Sequence, residues 1–142
     1  MLPKKRHHRF ATAGFTLLEL LVVIVIIGML ASYVGPKYFA QIGKSEVTAA
    51  KAQLDSLAKA IDTFRLDVGR FPTAEEGLPV LMNRPESLPG WNGPYLTKGI
   101  PQDPWRHAYI YQFPVGNGDF QVQSYGKDGK RGGAGEDADL TN

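Results

Sequence analysis

The sequence predicts an α+β fold: a long N-terminal helix, membrane-spanning in its first half, packs by its second half against a small antiparallel sheet, followed by a loop-rich C-terminal region. Three observations carry that prediction. From Phe15 to Val34 the chain is apolar apart from one charge, Glu19. From Val47 to Val68 apolar residues recur at spacings of 3 and 4. Two short alternating segments, Ala108–Phe113 and Phe120–Tyr125, flank a turn rich in Pro, Gly, Asn and Asp.

The first segment holds twenty residues, which as a helix cover about 30 Å, the thickness of a bilayer's hydrocarbon core. A lone carboxylate in such a span is costly and marks a functional position unless headgroups solvate it. Before the span, residues 1–14 carry Lys4, Lys5, Arg6 and Arg9 and no acid. A secretory signal would place its small cleavage-site residue after the apolar core. Here Gly14 precedes it, so a cut there removes only the basic leader and leaves a new amine on Phe15. The whole-chain formal charge of +2 reflects that leader; the remaining 12 basic and 14 acidic residues sum to −2. The charge therefore gives no sign of a nucleic-acid partner. Basic residues ahead of a span stay cytoplasmic, which carries the C-terminal domain across the membrane. In a bacterium that is the periplasm, where disulfides are permitted, yet the chain has no cysteine.

Three segments result: a leader at 1–14, a transmembrane helix at 15–36, and a periplasmic domain at 37–142. Gly28 lies inside the apolar run, and Gly35-Pro36 closes it. Proline removes a helical hydrogen bond and either ends or kinks the helix. The stripe Val47, Ala50, Leu54, Leu57, Ile61, Phe64, Val68 then forms the core face of an amphipathic helix, with Lys44, Lys51, Lys59, Asp62 and Arg65 opposite. Gly69 ends it. Thr73 and Glu76 fit a capping box opening a short helix, bent or stopped by Pro79 and ending near Met82. Six prolines from Pro79 to Pro104 exclude regular structure from 84 to 106. That loop packs through Trp91, Tyr95 and Trp105. The hairpin needs the long helix beneath it and has room for a third short strand.

No catalytic set is present. His107 is the only histidine outside the leader, no serine sits in a nucleophile elbow, and no phosphate loop or zinc spacing occurs. A membrane-anchored enzyme is thereby disfavoured. The tail from Tyr125 to Asp139 combines glycines with Asp128, Asp137 and Asp139. Such a stretch reads either as a solvated terminus or as a set of hard oxygen donors suited to Ca2+.

Gly14-Phe15-Thr16-Leu17-Leu18-Glu19 resembles the prepilin-peptidase site of type IV pilins and type II secretion pseudopilins. That resemblance implies cleavage between Gly14 and Phe15, N-methylation of Phe15, and a role for Glu19 in assembly. It also implies a helix that continues beyond Pro36, with the Gly28–Pro36 stretch loosening as subunits pack. Trp91-Asn92-Gly93-Pro94-Tyr95-Leu96, Pro101-Gln102-Asp103-Pro104-Trp105 and Ser124-Tyr125-Gly126-Lys127-Asp128-Gly129 with Asp137-Ala138-Asp139 resemble the major pseudopilins of type II secretion. The implied function is a structural subunit, not an enzyme, of a periplasmic fibre that drives folded proteins across the outer membrane. Its cofactor would be Ca2+, bound by the side chains of Asp128 and Asp139 and carbonyls near Tyr125 and Lys130, with Asp137 a further candidate. Implied partners are copies of itself, minor pseudopilins, the inner-membrane secretion platform, the prepilin peptidase and membrane lipid. A cytoplasmic ATPase would supply the energy. The implied location is the inner membrane, crossed once. The alternative is a type IV pilin for adhesion, motility or DNA uptake, which the missing cysteines and acidic Gly-rich tail disfavour. Two departures from the family pattern stand out: Arg106 occupies a glycine position, and no tryptophan follows Asn142.

Overall fold

The computed structural model describes residues 14–142; apart from Gly14, the expected leader lies outside the described residues. The chain divides into two compact units, one ending at Phe39 and the other running from Ala40 to Asn142. One helix, α1 (Leu17–Val68), contributes to both. Its most apolar 18-residue window has a mean hydropathy of 2.6, with none of it buried within the chain. By length and composition that suffices to cross a membrane. Pro36 lies inside α1 rather than at its end, so the helix does continue through it.

In the second unit α1 buries one face. Gly43, Ala50, Leu54, Leu57, Ala60, Ile61 and Phe64 are buried, with Val47 and Val68 partly covered at the margins. Lys44, Lys51, Lys59, Asp62 and Arg65 are exposed on the opposite side. This is the arrangement expected from the 3-and-4 spacing, extended by two small residues, Gly43 and Ala60. Removing one of the buried large side chains, such as Leu57 or Phe64, typically costs about 2–5 kcal/mol. Gly69 then takes φ 84 and its N–H donates to the Arg65 carbonyl at 2.8 Å, closing the last turn.

Three antiparallel strands form the sheet, in the order β1 (Ile110–Val115), β2 (Asp119–Ser124), β3 (Leu140–Thr141). Tyr111 pairs with Val122 and Ser124 with Leu140. Tyr109, Val122 and Leu140 join the α1 residues in one core, which places the sheet on the second half of the helix. The hairpin is shifted from its expected bounds. Ala108 bridges back to Gln102 instead of opening the strand. Pro114, expected in the turn, sits inside β1 at an irregularity where the register shifts between Gln112 and Val115. A proline without an N–H is accommodated at such a bulge.

Residues 73–82 differ more. The capping box forms: Glu76 N donates to Thr73 Oγ1 at 3.2 Å, and Thr73 N to Glu76 Oε2 at 2.8 Å. It caps a single turn rather than a helix. Gly77 takes φ 54, outside the helical region, and a 3-10 helix then occupies Leu78–Leu81. The irregular stretch beyond is pinned by its aromatic residues as expected. Trp91 Nε1 donates to the Val80 carbonyl at 2.8 Å, Tyr95 packs edge-on against Phe64, and Trp105 Nε1 reaches Glu46 Oε2 at 3.0 Å.

The Glu76 carboxylate also takes a two-pronged ion pair from Arg70, each N···O distance being 2.7 Å. Hydrogen bonding to Arg70 holds the Glu76 carboxyl down at about 2, against an ordinary 4.5. A depressed acid stabilises the fold above its unfolded value and loses that contribution as pH falls toward 2. Because the Arg70 side chain is 41% exposed, solvent screening limits the effect to about 1 kcal/mol. Glu76→Gln should therefore cost about that much at pH 7 and almost nothing near pH 2. Chemical denaturation at the two pH values measures it, and an equal cost at both would count against the pair.

Candidate functional site

At the N-terminus Gly14 is exposed and non-helical, and Phe15 is 73% exposed. Thr16 precedes α1 as its N-cap. Glu19 N donates to Thr16 Oγ1 at 3.2 Å, and Thr16 N and Oγ1 both donate to Glu19 Oε2 at 3.4 Å. The bonds are long but reciprocal, forming a second capping box in the chain. They hold the Glu19 carboxylate beside the residue that follows Phe15, where it also complements the positive end of the helix. The signal is present in the sequence, since Thr16-x-x-Glu19 repeats the Thr73-x-x-Glu76 spacing. Further along, a Cβ added at Gly28 or Gly35 would meet nothing within 4 Å among the described residues. Packing within a single chain gives no reason for glycine at either position.

The tail folds back on itself. Lys127 N donates to the Glu136 carbonyl at 2.9 Å, and Lys127 Nζ meets Glu136 Oε2 at 2.6 Å. A Cβ at Gly43 of α1 would strike the Glu136 side chain, so the glycine leaves that side chain its present place on the helix. That contact explains a residue which otherwise costs a helix about 1 kcal/mol. Asp128 Oδ1 accepts from Lys130 N at 3.0 Å and Asp139 Oδ1 from Gly132 N at 2.9 Å. Among the described residues no hydrogen bond engages the second oxygen of either carboxylate. Asp137 closes the 3-10 helix Gly135–Asp137 and is half-buried. Tyr125 is half-buried at the start of the tail and Lys130 is exposed. Among the described residues no three His, Cys, Asp or Glu side chains gather into a metal-holding group. Any cation held here must therefore draw on backbone carbonyls as well as on carboxylates.

A residue assigned no role from the sequence stands at the foot of the tail. Asp103 is 3% exposed. Its Oδ1 accepts from His107 N at 2.7 Å and Trp105 N at 3.1 Å, and its Oδ2 from Ser124 Oγ at 2.6 Å. Asp103-Pro104-Trp105-Arg106 makes a turn closed by Arg106 N to the Asp103 carbonyl at 2.9 Å. Asp first, Pro second and glycine fourth is the favoured pattern for a type I turn. Arg106 occupies the fourth place at φ 71, the one non-glycine residue with positive φ among the described residues. This accounts for the glycine expected there.

Two family comparisons bear on these features. The model described as Type II secretion system (T2SS), protein G, matches residues 37–142. The chain belongs to that family. A prokaryotic N-terminal methylation motif matches residues 9–34, ahead of the family domain. Type II secretion system core protein G of Pseudomonas aeruginosa is 39% identical over 133 residues, covering 92% of this chain and 94% of the relative. Its counterpart in Aeromonas hydrophila is 40% identical over 134 residues, covering 92% and 91%. The crystal structure of the major pseudopilin from the type 2 secretion system of enterohaemorrhagic Escherichia coli matches with a TM-score of 0.60 and 29% identity. It covers 73% of this chain and 91% of that one. Membership of the protein G family favours the pseudopilin over the type IV pilin, and with the apolar segment of α1 it describes a membrane-anchored protein.

Left-handed φ costs an L-residue about 1–2 kcal/mol, partly offset by the chain entropy glycine loses on folding. Arg106→Gly should therefore stabilise the domain by about 0.5–1 kcal/mol, read as a higher denaturation midpoint of the detergent-solubilised chain. An unchanged or lower midpoint would show that the Arg106 side chain contributes more than its backbone costs.

Proposed function

We propose that the chain is the structural subunit that polymerises into the periplasmic pseudopilus of the type II secretion system, driving export of folded proteins across the outer membrane. The observation that carries this reading is the coupling, in one chain, of a methylation motif at residues 9–34 to a protein G domain at residues 37–142. A prepilin peptidase would cut between Gly14 and Phe15 and methylate the new amine. The apolar segment of α1 would cross the inner membrane once, with the domain in the periplasm. Minor pseudopilins and the inner-membrane platform would be its partners, and a cytoplasmic ATPase would supply the energy.

Assembly places the Phe15 ammonium and Glu19 carboxylates of neighbouring copies together in apolar surroundings. An unpaired charge there costs several kcal/mol, and pairing offsets much of it while setting axial register. Gly28 and Gly35-Pro36 would serve the same step, allowing neighbours close approach or the helix local loosening. Because Glu19 also caps its own helix, Glu19→Ala removes two functions at once. Glu19→Gln keeps an oxygen for the cap and loses the charge. It should insert and be processed to a chain beginning at Phe15, shown by N-terminal mass spectrometry, yet form no fibres. Fibres formed by Glu19→Gln as by wild type, or a leader left intact on wild type, would overturn the proposal.

The tail suits Ca2+ by its chemistry, with hard oxygens, a second carboxylate oxygen on Asp128 and on Asp139 that no hydrogen bond engages among the described residues, and glycines that let carbonyls turn inward. Asp128 and Asp139 would bind through side chains and Tyr125 and Lys130 through carbonyls, with Asp137 as a further donor. The bound ion would take the place of a disulfide in fixing the C-terminus. Since an ion that binds only the folded state stabilises it, chelation should lower the melting temperature of the detergent-solubilised chain. Asp128→Ala or Asp139→Ala should abolish that response. A wild-type melting curve indifferent to chelator would remove the calcium site from the proposal.

A further inference from the structure

Both polar groups of the Gly126 backbone are held by one closed circuit of hydrogen bonds. Gly126 N donates to Ser124 Oγ at 3.2 Å, and Ser124 Oγ donates to Asp103 Oδ2 at 2.6 Å. On the other side His107 Nδ1 lies 3.1 Å from the Gly126 carbonyl, which it reaches as a donor beside a longer bond from Gly129 N at 3.3 Å, and His107 N donates to Asp103 Oδ1 at 2.7 Å. The circuit thus runs Asp103–Ser124–Gly126–His107 and returns to Asp103. Its centre is a buried carboxylate with both oxygens engaged, and Ser124 is 1% exposed.

Gly126 is where the two limbs of the tail meet. It is buried at φ 69, and a Cβ there would come within 2.8 Å of the Glu136 carbonyl oxygen and 2.9 Å of the Ala138 carbonyl oxygen. The His107 ring covers Gly129, the next glycine on the same limb, lying 3.1 Å from where its Cβ would stand. A planar trans peptide points its N–H and C=O in opposite directions. By holding Gly126 N–H, Ser124 therefore sets the direction of the Tyr125 carbonyl. By holding the Gly126 carbonyl more closely than the tail's own Gly129 N does, His107 fixes the orientation of the next peptide, which leads to Asp128.

We infer that Asp103, Ser124 and His107 are positioning residues that preorganise the Tyr125–Asp139 loop for a hard divalent cation. This deepens the calcium reading above and rests on it for its purpose, but the brace exists before any ion arrives. Outer partners that orient ligands typically change metal affinity about 10–100-fold when removed. The His107 ring packs on the tail, and 41% of the side chain is exposed, so its loss should leave the core intact.

The test uses the full chain in detergent, with wild type, Ser124→Ala, His107→Ala and His107→Asn, which restores an N–H at the same reach as Nδ1. In chelator, amide hydrogen exchange of residues 126–139 should be at least about tenfold faster in the two alanine variants. Exchange in the 54–64 stretch of α1 should be unchanged, and His107→Asn should recover part of the protection. With calcium titrated in, the alanine variants should bind at least about tenfold more weakly. Tail exchange equal to wild type in both alanine variants, or acceleration spread evenly over tail and core, would overturn the positioning role. A wild type that ignores calcium would instead remove the cation reading, while the exchange measured in chelator would still decide the brace.

Discussion

Every backbone hydrogen bond of a lipid-embedded segment has to be made within that segment, because hydrocarbon offers no partner. α1 meets that demand over its apolar stretch by being a helix without surface preference. Beyond Ala40 the same helix meets water on one side and buries the other, and the domain is assembled on that buried stripe. Phe64 packs edge-on against Tyr95 of the irregular segment, the sheet joins the same core, and Gly43 leaves room for the Glu136 side chain. The domain has no cysteine, so its loops are fixed by polar bonds to the helix and the sheet rather than by cross-links. Trp105 to Glu46 and Tyr109 Oη to Gln53 Oε1 at 2.6 Å each join residues more than fifty positions apart.

Those long-range bonds divide the legible part of the fold from the rest. The helix, its buried stripe and the hairpin are legible because burial imposes a period, 3.6 in one case and 2 in the other. The stop at Gly69 is legible because glycine is the residue that takes φ 84 without steric cost. The helix expected after Thr73 ends near Met82 as read, but it begins only at Leu78 and as a 3-10 turn, because Gly77 takes the chain out of helical geometry one turn after the cap. Pro114 reads as part of the turn because proline breaks ladders, but a bulge removes the need for its N–H.

The candidate site is legible in composition and not in arrangement. Asp128, Asp137 and Asp139 announce themselves by charge among glycines. Asp103 does not, since a single aspartate before proline reads as turn chemistry, and its partner Ser124 lies on another element. Its burial shows that the turn and the tail form one polar unit. In the sequence Arg106 is only a departure from a pattern; its φ of 71 supplies the physical content, a strained position tolerated because Asp103 holds the turn closed. Glu19 draws notice by its charge, which hides the cap it makes with Thr16 although the spacing for one is present.

The two ends of the chain thus carry complementary demands. A tail that holds a cation would need its oxygens kept in place, and hydrogen bonds from the 103–107 turn and from β2 reach its Gly126 backbone. On the proposed function, the N-terminus would need one carboxylate that is solvated or capped in the free subunit and neutralised in the fibre. Thr16 provides the first state, and a neighbour's Phe15 amine would provide the second. Electron cryomicroscopy of fibres assembled from the processed chain tests that exchange most directly. A Glu19 carboxylate oxygen within about 4 Å of the Phe15 amine of an adjacent copy is expected. A Glu19 side chain still bonded only to its own Thr16, with neighbouring amines facing lipid or water, would contradict charge pairing as the basis of assembly.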